Sequence, residues 1–224
     1  MKKAIILLSG GLDSATTLYF AKKLGFKLTA LIFNYHQRHK KEIEAAKKIA
    51  ELNNVVHYVV KINLAWTHSS LTDMKKHVPL NRNLATHEIP STYVAARNIV
   101  FLSYAFSLAE SIGAKKVFIG AHIQDYSGYP DCRPQFLKAF EQAVDIGMKQ
   151  GDIKIEAPLI NKSKKEIIKM GLKLGVPFQH TWSCYQGGKF PCQKCDSCHF
   201  RINAFNQLGI TDPLLISKKS NTSF

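Results

Sequence analysis

Apolar and polar positions follow two rhythms along this chain, and their alternation predicts a repeated strand–helix order. Ala4 to Leu8 is an unbroken apolar run, KLTALIF from Lys27 to Phe33 is a second, and residues 55–62, 116–121 and 153–160 are three more of strand length. Helical spacing fills the intervals. Residues 14–24 form an amphipathic stretch, and residues 38–53 place Ile43, Ala46, Ile49, Ala50 and Leu52 on one face with lysines on the other. Ser91 and Thr92 are predicted to cap a long apolar helix through Ala109, which puts Arg97 and Asn98 about a turn and a half inside it. Further helices are predicted over residues 134–149, with Pro134 in the first turn, and over residues 195–208. Ser163-x-x-Glu166 is a capping box opening a helix that runs to Leu174.

Strands separated by helices imply right-handed crossovers. The expected fold is therefore α/β, a parallel doubly wound sheet of about five strands over residues 1–180. A small C-terminal segment, residues 181–212, follows it. Residues 63–90 have little periodicity and are expected to be a mobile cover, and residues 217–224 a disordered tail.

Ligands of such sheets gather at the C-terminal ends of the strands, and the polar residues there concentrate chemistry. The first strand runs into LSGGLDS, Leu8 to Ser14. A strand that feeds a glycine loop and then a helix presents backbone N–H groups and a positive dipole end to one point, which suits a phosphate. Gly10 and Gly11 allow close approach, Ser9 and Ser14 add hydroxyls, and Asp13 makes sense beside a polyphosphate if Mg²⁺ lies between them. Neither GxxxxGK[ST] nor GxGxxG is present. Asn34 to Arg38, past the second strand, falls beside this loop. Past the fourth strand, His122 to Arg133 collects aromatics, carboxylates, an arginine and a thiol. There Asp125 or Asp131 could bind Mg²⁺ or the N–H edge of a heterocycle, Tyr126 or Tyr129 could stack on it, and Arg133 could pair with a carboxylate. Asp131 could instead cap the helix that begins at Pro134. Arg97 is either an anion-binding residue or one half of a surface ion pair. Cys132 is either a thiolate favoured by Arg133 or an inert buried thiol.

Composition narrows the class. The 224 residues, 46% of them hydrophobic, can bury a full core as one domain with an appendage. No charge-free apolar run reaches ~18 residues and no signal segment precedes the first strand, so a soluble cytoplasmic protein without a membrane partner is expected. A formal charge of +15 fits either a nucleic-acid partner or a nucleotide-using enzyme with a positive field. Four of the five cysteines form Cys184-x7-Cys192-x2-Cys195-x2-Cys198, a set of soft thiolates that selects Zn²⁺ or an iron–sulfur cluster. With all four positions filled by protein, zinc there would be structural, its surplus negative charge offset by Lys189, Lys194 and Arg201.

Ser-Gly-Gly-x-Asp-Ser resembles the pyrophosphate loop of the ATP pyrophosphatases. SGGLDSAT, NYHQRHKKEIEAA, STYVAARN, DYSGYPDCR and the cysteine cluster followed by Arg201-x-Asn203-Ala204 together resemble the 7-cyano-7-deazaguanine synthase family over almost the whole chain. That resemblance implies the PP-loop, adenine nucleotide alpha hydrolase-like form of the fold and a C–N bond-forming ligase of queuosine biosynthesis. Such a ligase uses ATP and ammonia to turn 7-carboxy-7-deazaguanine into its nitrile through an adenylated acid and an adenylated amide. The implied cofactors are ATP, Mg²⁺ and one structural Zn²⁺ held by Cys184, Cys192, Cys195 and Cys198. Asp13, Ser14 and Arg97 are the implied catalytic residues. The nucleotide would lie on Leu8, Ser9, Gly10, Gly11, Leu12, Asp13, Ser14, Ala15, Thr16, Thr17 and Leu18, and the substrate on Asp125, Tyr129, Asp131 and Arg133. Small molecules would be the partners, without direct nucleic-acid contact, and a homodimer is compatible with the pattern. Three positions depart from the family pattern: Asn34 replaces an Asp, His36 a Gly and Ala95 a Pro. A tRNA-modifying pyrophosphatase of the thiolation or lysidine type shares the first motif and would use the charge. It usually brings an RNA-binding domain or a catalytic cysteine pair, for which this chain has no room. A non-enzymatic zinc module would leave SGGLDS unexplained.

Overall fold

The computed structural model describes residues 2–82, 89–122, 129–149 and 151–219. Five strands, β1 (Lys3–Leu7), β2 (Lys27–Asn34), β3 (Val56–Lys61), β4 (Lys116–Phe118) and β5 (Lys154–Glu156), form one sheet in the order β3-β2-β1-β4-β5. Every pairing is parallel. The helices are α1 (Leu12–Lys23), α2 (Lys41–Leu52), α3 (Arg97–Ile112), α4 (Pro134–Gly147), α5 (Lys164–Lys173), α6 (Asp196–Asn206) and α7 (Pro213–Lys219).

The apolar run of the first strand explains its central place. Ala4 and Ile6 point to one face, where α1, α2, α5 and α6 pack, and Ile5 and Leu7 point to the other, where α3 and α4 pack. A strand covered on both faces has no position for a polar side chain, which is why AIIL is continuous. The chain first winds outward from β1 through β2 to β3, then returns to β4 on the other side of β1. The reversal lies between β1 and β4, where a crevice opens at the strand ends.

Several predicted boundaries move for physical reasons. The long apolar helix begins at Arg97, not at Ser91 or Thr92, because Ala96 takes a left-handed conformation (φ 55°) that breaks the helix before it. Its cap comes from afar: Asp131 Oδ2 accepts the Asn98 backbone N–H at 2.8 Å. The capping box of α5 forms as expected, Ser163 accepting from the Glu166 N–H while Glu166 accepts from the Ser163 N–H. Helix α7 occupies residues 213–219, so the start of the segment expected to be a disordered tail is helical; residues 220–224 lie outside the described residues. The described part of the expected mobile cover is packed on the body. Arg38 donates to the Ser70 and Asp73 carbonyls (both 3.1 Å), and Leu71 and Val78 are buried.

Candidate active site

The crevice between β1 and β4 is a cleft of about 240 Å³ lined by the first loop, the ends of β1, β2 and β4, the starts of α2 and α3, and Trp182, Ser183 and Tyr185. Its floor is the loop after β1. Gly11 is the N-cap of α1 and no side chain caps the helix there, so the N–H groups of its first turn are left for a ligand. The serines hold the loop open by local bonds. Ser14 Oγ accepts from the Ser9 N–H (3.2 Å) and from Ser9 Oγ (3.1 Å), and donates to the Gly11 carbonyl (3.2 Å). Gly10 (φ 82°) admits no side chain, since a Cβ there would meet the Glu42 carbonyl at 2.2 Å. Its own carbonyl accepts the Trp182 N–H at 2.9 Å.

Asp13 faces the cleft and is clamped by Lys164, whose Nζ reaches both carboxylate oxygens at 2.9 Å. Lys164 also lies 2.7 Å from His122 Nε2, and that ring nitrogen is 3.7 Å from Asp13. Burial pushes the Asp13 pKa up, but Lys164 and His122 outweigh it and hold the carboxyl below its ordinary value. On the facing wall Arg97 Nη1 donates to the Tyr35 hydroxyl at 3.2 Å and its guanidinium lies 5.7 Å from the Tyr35 ring. Burial disfavours its charge, yet Tyr35, Tyr129, Asp131 and Cys132 raise its pKa further above the ordinary value. It is a permanent cation in the cleft.

The remaining positions divide. Leu8, Ser9, Gly11, Asp13, Ser14, Arg97 and Tyr129 line the cleft. Leu12, Ala15, Thr16, Thr17 and Leu18 are buried in α1, the two threonine hydroxyls donating to the Leu12 and Asp13 carbonyls. Asp131 is turned inward to cap α3 instead of the helix beginning at Pro134. Arg133 is exposed and outside the cleft lining. Asp125 lies outside the described residues, as does Tyr126. Cys132 lines the cleft, its sulfur accepting from Asn98 Nδ2 at 3.1 Å.

Next to this cleft Cys184, Cys192, Cys195 and Cys198 bring their sulfurs within 4.8 Å of one another, and none is in a disulfide. A tetrahedron of sulfurs about 2.3 Å from a zinc ion has edges of about 3.8 Å. The Cys192–Cys198 separation, 3.9 Å, matches it. Backbone N–H groups of Lys194 and Cys195 point at the Cys192 sulfur (3.4 and 3.3 Å), and that of Cys192 at the Cys184 sulfur (3.2 Å). Hydrogen bonds from Cys195 and Cys198 hold the Cys184 thiol far below its ordinary pKa, and the same bonding pushes Cys195 up to about 12 and Cys198 higher. The donor set fits a soft cation. Trp182 joins it to the phosphate-loop side: its Nε1 donates to the Cys184 carbonyl at 2.8 Å while its backbone N–H reaches Gly10.

Residues 3–209 match the family model described as queuosine biosynthesis protein QueC. The chain belongs to that family. Among similar proteins, the 7-cyano-7-deazaguanine synthase of Trichodesmium erythraeum is 50% identical over 221 residues, covering 95% of this chain and 100% of the relative. The enzyme of that name from Thermoplasma volcanium is 48% identical over 223 residues, covering 97% and 92%. In fold the chain is similar to the NMN synthetase of Francisella tularensis, with a TM-score of 0.55 at 20% identity over 93% of this chain and 77% of that one. The three positions expected to depart from the family pattern are accommodated locally. Asn34 Oδ1 accepts the His36 N–H (3.3 Å), His36 adopts the positive φ (61°) that a glycine would take freely, and Ala95 is exposed.

Among the residues at the site that the sequence did not single out are Glu42, which lines the cleft, and Lys164, which contacts Asp13. Lys164 opens α5, and Glu42 sits in the first turn of α2. Both follow a strand's C-terminal end, and that topological position was the available signal. Burial pushes the Glu42 pKa up to about 7, with Arg97 opposing and Cys184 adding to the shift.

Proposed function

We propose that this cleft turns the carboxylate of 7-carboxy-7-deazaguanine into a nitrile with ammonia and ATP, as a step of queuosine biosynthesis. The observation that carries the reading is the uncapped α1 N-terminus with Ser9 and Ser14, set beside the Arg97 cation in a cleft walled by aromatic rings, in a chain of this family.

Oxide is a very poor leaving group, so each carboxylate oxygen departs as AMP. A substrate oxygen attacks the α-phosphorus of ATP and pyrophosphate leaves. The α1 N–H groups and the Ser9 and Ser14 hydroxyls bind that pyrophosphate, and Arg97 stabilises negative charge as it develops. Ammonia then adds to the acyl-adenylate carbon and AMP departs with loss of a proton, giving the amide. The amide oxygen attacks a second ATP, and loss of AMP with the two remaining N–H protons leaves the nitrile. Asp13 would hold Mg²⁺, which when bound neutralises the leaving pyrophosphate. Lys164 keeps Asp13 ionised and oriented. Tyr129, which lines the cleft, would stack on the heterocycle. No enzyme nucleophile is required, so Cys132 serves packing. The four clustered cysteines would hold one structural Zn²⁺, and the segment from residue 63 to 82, whose Leu71 lines the cleft, would exclude water from it. The substrates are small molecules of the cytoplasm.

Incubation with 7-carboxy-7-deazaguanine, ammonium, Mg²⁺ and ATP tests this. The nitrile should appear with AMP and pyrophosphate. ADP in place of AMP would reject attack at the α-phosphorus, and activity confined to a tRNA substrate would favour the tRNA-modifying class.

A further inference from the structure

Glu42 is the group in the cleft that the mechanism above leaves without a role. The first turn of α2 carries its carboxylate to the wall of the cleft, which Tyr35, Phe101, Tyr129 and Tyr185 also line. A half-buried carboxylate is normally served by an ion pair or by hydrogen bonds, because removing one from water unpaired is costly. Among the described residues no cation lies within ion-pair distance of Glu42 and no donor bonds to its side chain. Arg97 shares the cleft, but its guanidinium donates to the Tyr35 hydroxyl. The protein thus keeps two acceptor oxygens, in one plane, facing the ligand space.

An ionised carboxylate only accepts, and its two oxygens fit two parallel N–H donors. A guanine-type heterocycle offers that pattern through its N1–H and 2-amino groups. Adenine does not: beside its amino group lies an unprotonated ring nitrogen, whose lone pair would face a carboxylate oxygen. The chemistry of Glu42 therefore selects the deazaguanine over the nucleotide. The reacting carboxylate of that substrate is on the five-membered ring, away from the N1–C2 edge, so holding this edge leaves the carboxylate free to meet the phosphate loop.

We propose that Glu42 is the specificity-determining residue of this cleft, receiving the N1–H and the 2-amino group of the deazaguanine on its two carboxylate oxygens. This rests on the function proposed above. In the free cleft burial pushes the Glu42 pKa up to about 7, and two N–H donors on the bound substrate would draw it back down toward the ionised form.

Steady-state kinetics of wild type, Glu42→Gln and Glu42→Asp, with 7-carboxy-7-deazaguanine and with its analogue lacking the 2-amino group, provide the test. Glu42→Gln should raise KM for the acid about 10–100-fold, as expected for one bidentate contact, and leave KM for ATP and ammonium within about twofold. Glu42→Asp, which keeps both acceptors but withdraws them by one methylene, should raise it less. Wild type should discriminate against the analogue by about tenfold or more, and Glu42→Gln by less than about threefold. Equal discrimination by both proteins overturns the assignment. A KM effect on ammonium or ATP in place of the acid also overturns it, and so does unfolding of Glu42→Gln, because an unpaired carboxylate is no structural support. A wild-type protein that makes no nitrile at all refutes the underlying function, and that result is visible before any variant is made.

Discussion

The phosphate loop and the cysteine knuckle border the same cleft and are built in opposite ways. The serine bonds that shape the loop join residues at most five positions apart, from Ser9 to Ser14, with β1 behind them, and the backbone bond from Trp182 to the Gly10 carbonyl adds a tie to distant chain. The knuckle depends on distant chain. Asn81 donates its N–H to the Lys194 carbonyl (2.8 Å), Arg82 pairs with Asp196 (3.0 Å), and Val78 packs in one buried cluster with Cys184, Cys195 and Cys198. Below it, Arg201 is buried and bonds to Asp212, Thr181 and the Phe178 carbonyl. A loop made by neighbours in sequence keeps its shape while the sheet survives. A knuckle made by remote segments loses everything when one tie is cut.

Cys195→Ser should break this contrast most severely. Structural zinc in small sites supplies ~10 kcal/mol or more of local folding free energy, and three thiolates make an incomplete tetrahedron. The expected outcome is poor solubility, sub-stoichiometric metal by elemental analysis, and proteolysis confined to the chain after about residue 180, with the sheet protected. A variant that melts like wild type yet fails to turn over ATP would move the metal into catalysis. Asp212→Asn comes next. It strips the negative partner from Arg201, both side chains being only 3% exposed, and should cost about 3–5 kcal/mol in denaturant unfolding. The knuckle should loosen without losing its ligands.

At the loop, Lys164→Met should be milder, about 1–2 kcal/mol at pH 7, because Asp13 is a quarter exposed and partly served by water. The sign with pH is fixed. In wild type the folded Asp13 carboxyl is held below its ordinary value of 3.8, so the stability it contributes is present above about pH 4 and lost as the pH falls through the folded value. Without Lys164, burial pushes the carboxyl up. The gap between the two proteins should therefore be full at neutral pH and close below about pH 4, as read by unfolding at several pH values. Persistence of the full gap at pH 3 would refute the clamp. Cys132→Ser should have the smallest effect, within about threefold of wild-type turnover, since adenylation activates the carbon without covalent help. A thioimidate trapped on Cys132 would reverse that.

The same contrast explains what the sequence made legible. The five strands and the phosphate loop were readable because their determinants are contiguous: an apolar run, two glycines, two serines. The cysteine cluster was readable by spacing alone. The start of α3 was not, because its cap is a carboxylate 33 residues downstream and Ala96 gives no outward sign of a left-handed conformation. For the same reason Asp131 resembled a ligand-binding residue, although it caps a helix. Lys164 and Glu42 look like ordinary charges of solvated helix faces until the sheet order places α5 and α2 at the cleft. Helix α7 was missed because Pro213-Leu214-Leu215-Ile216 is too short to show a period, and Leu214 finds its apolar partners only in the folded knuckle.

The hydrogen bond from the Trp182 N–H to the Gly10 carbonyl also sets a schedule for making the protein. The glycine loop leaves the ribosome well before the residue that closes it, which follows about 170 residues later, roughly 10–30 s at ~5–20 residues/s. Through much of that interval β1 has β2 on one side but lacks β4 on the other, because the pairing of Ala4 with Lys116 and Ile6 with Phe118 awaits chain not yet made. Of the three interior strands, the most apolar one thus waits longest for its second neighbour. Its safe passage during synthesis depends on how fast the second half of the chain arrives.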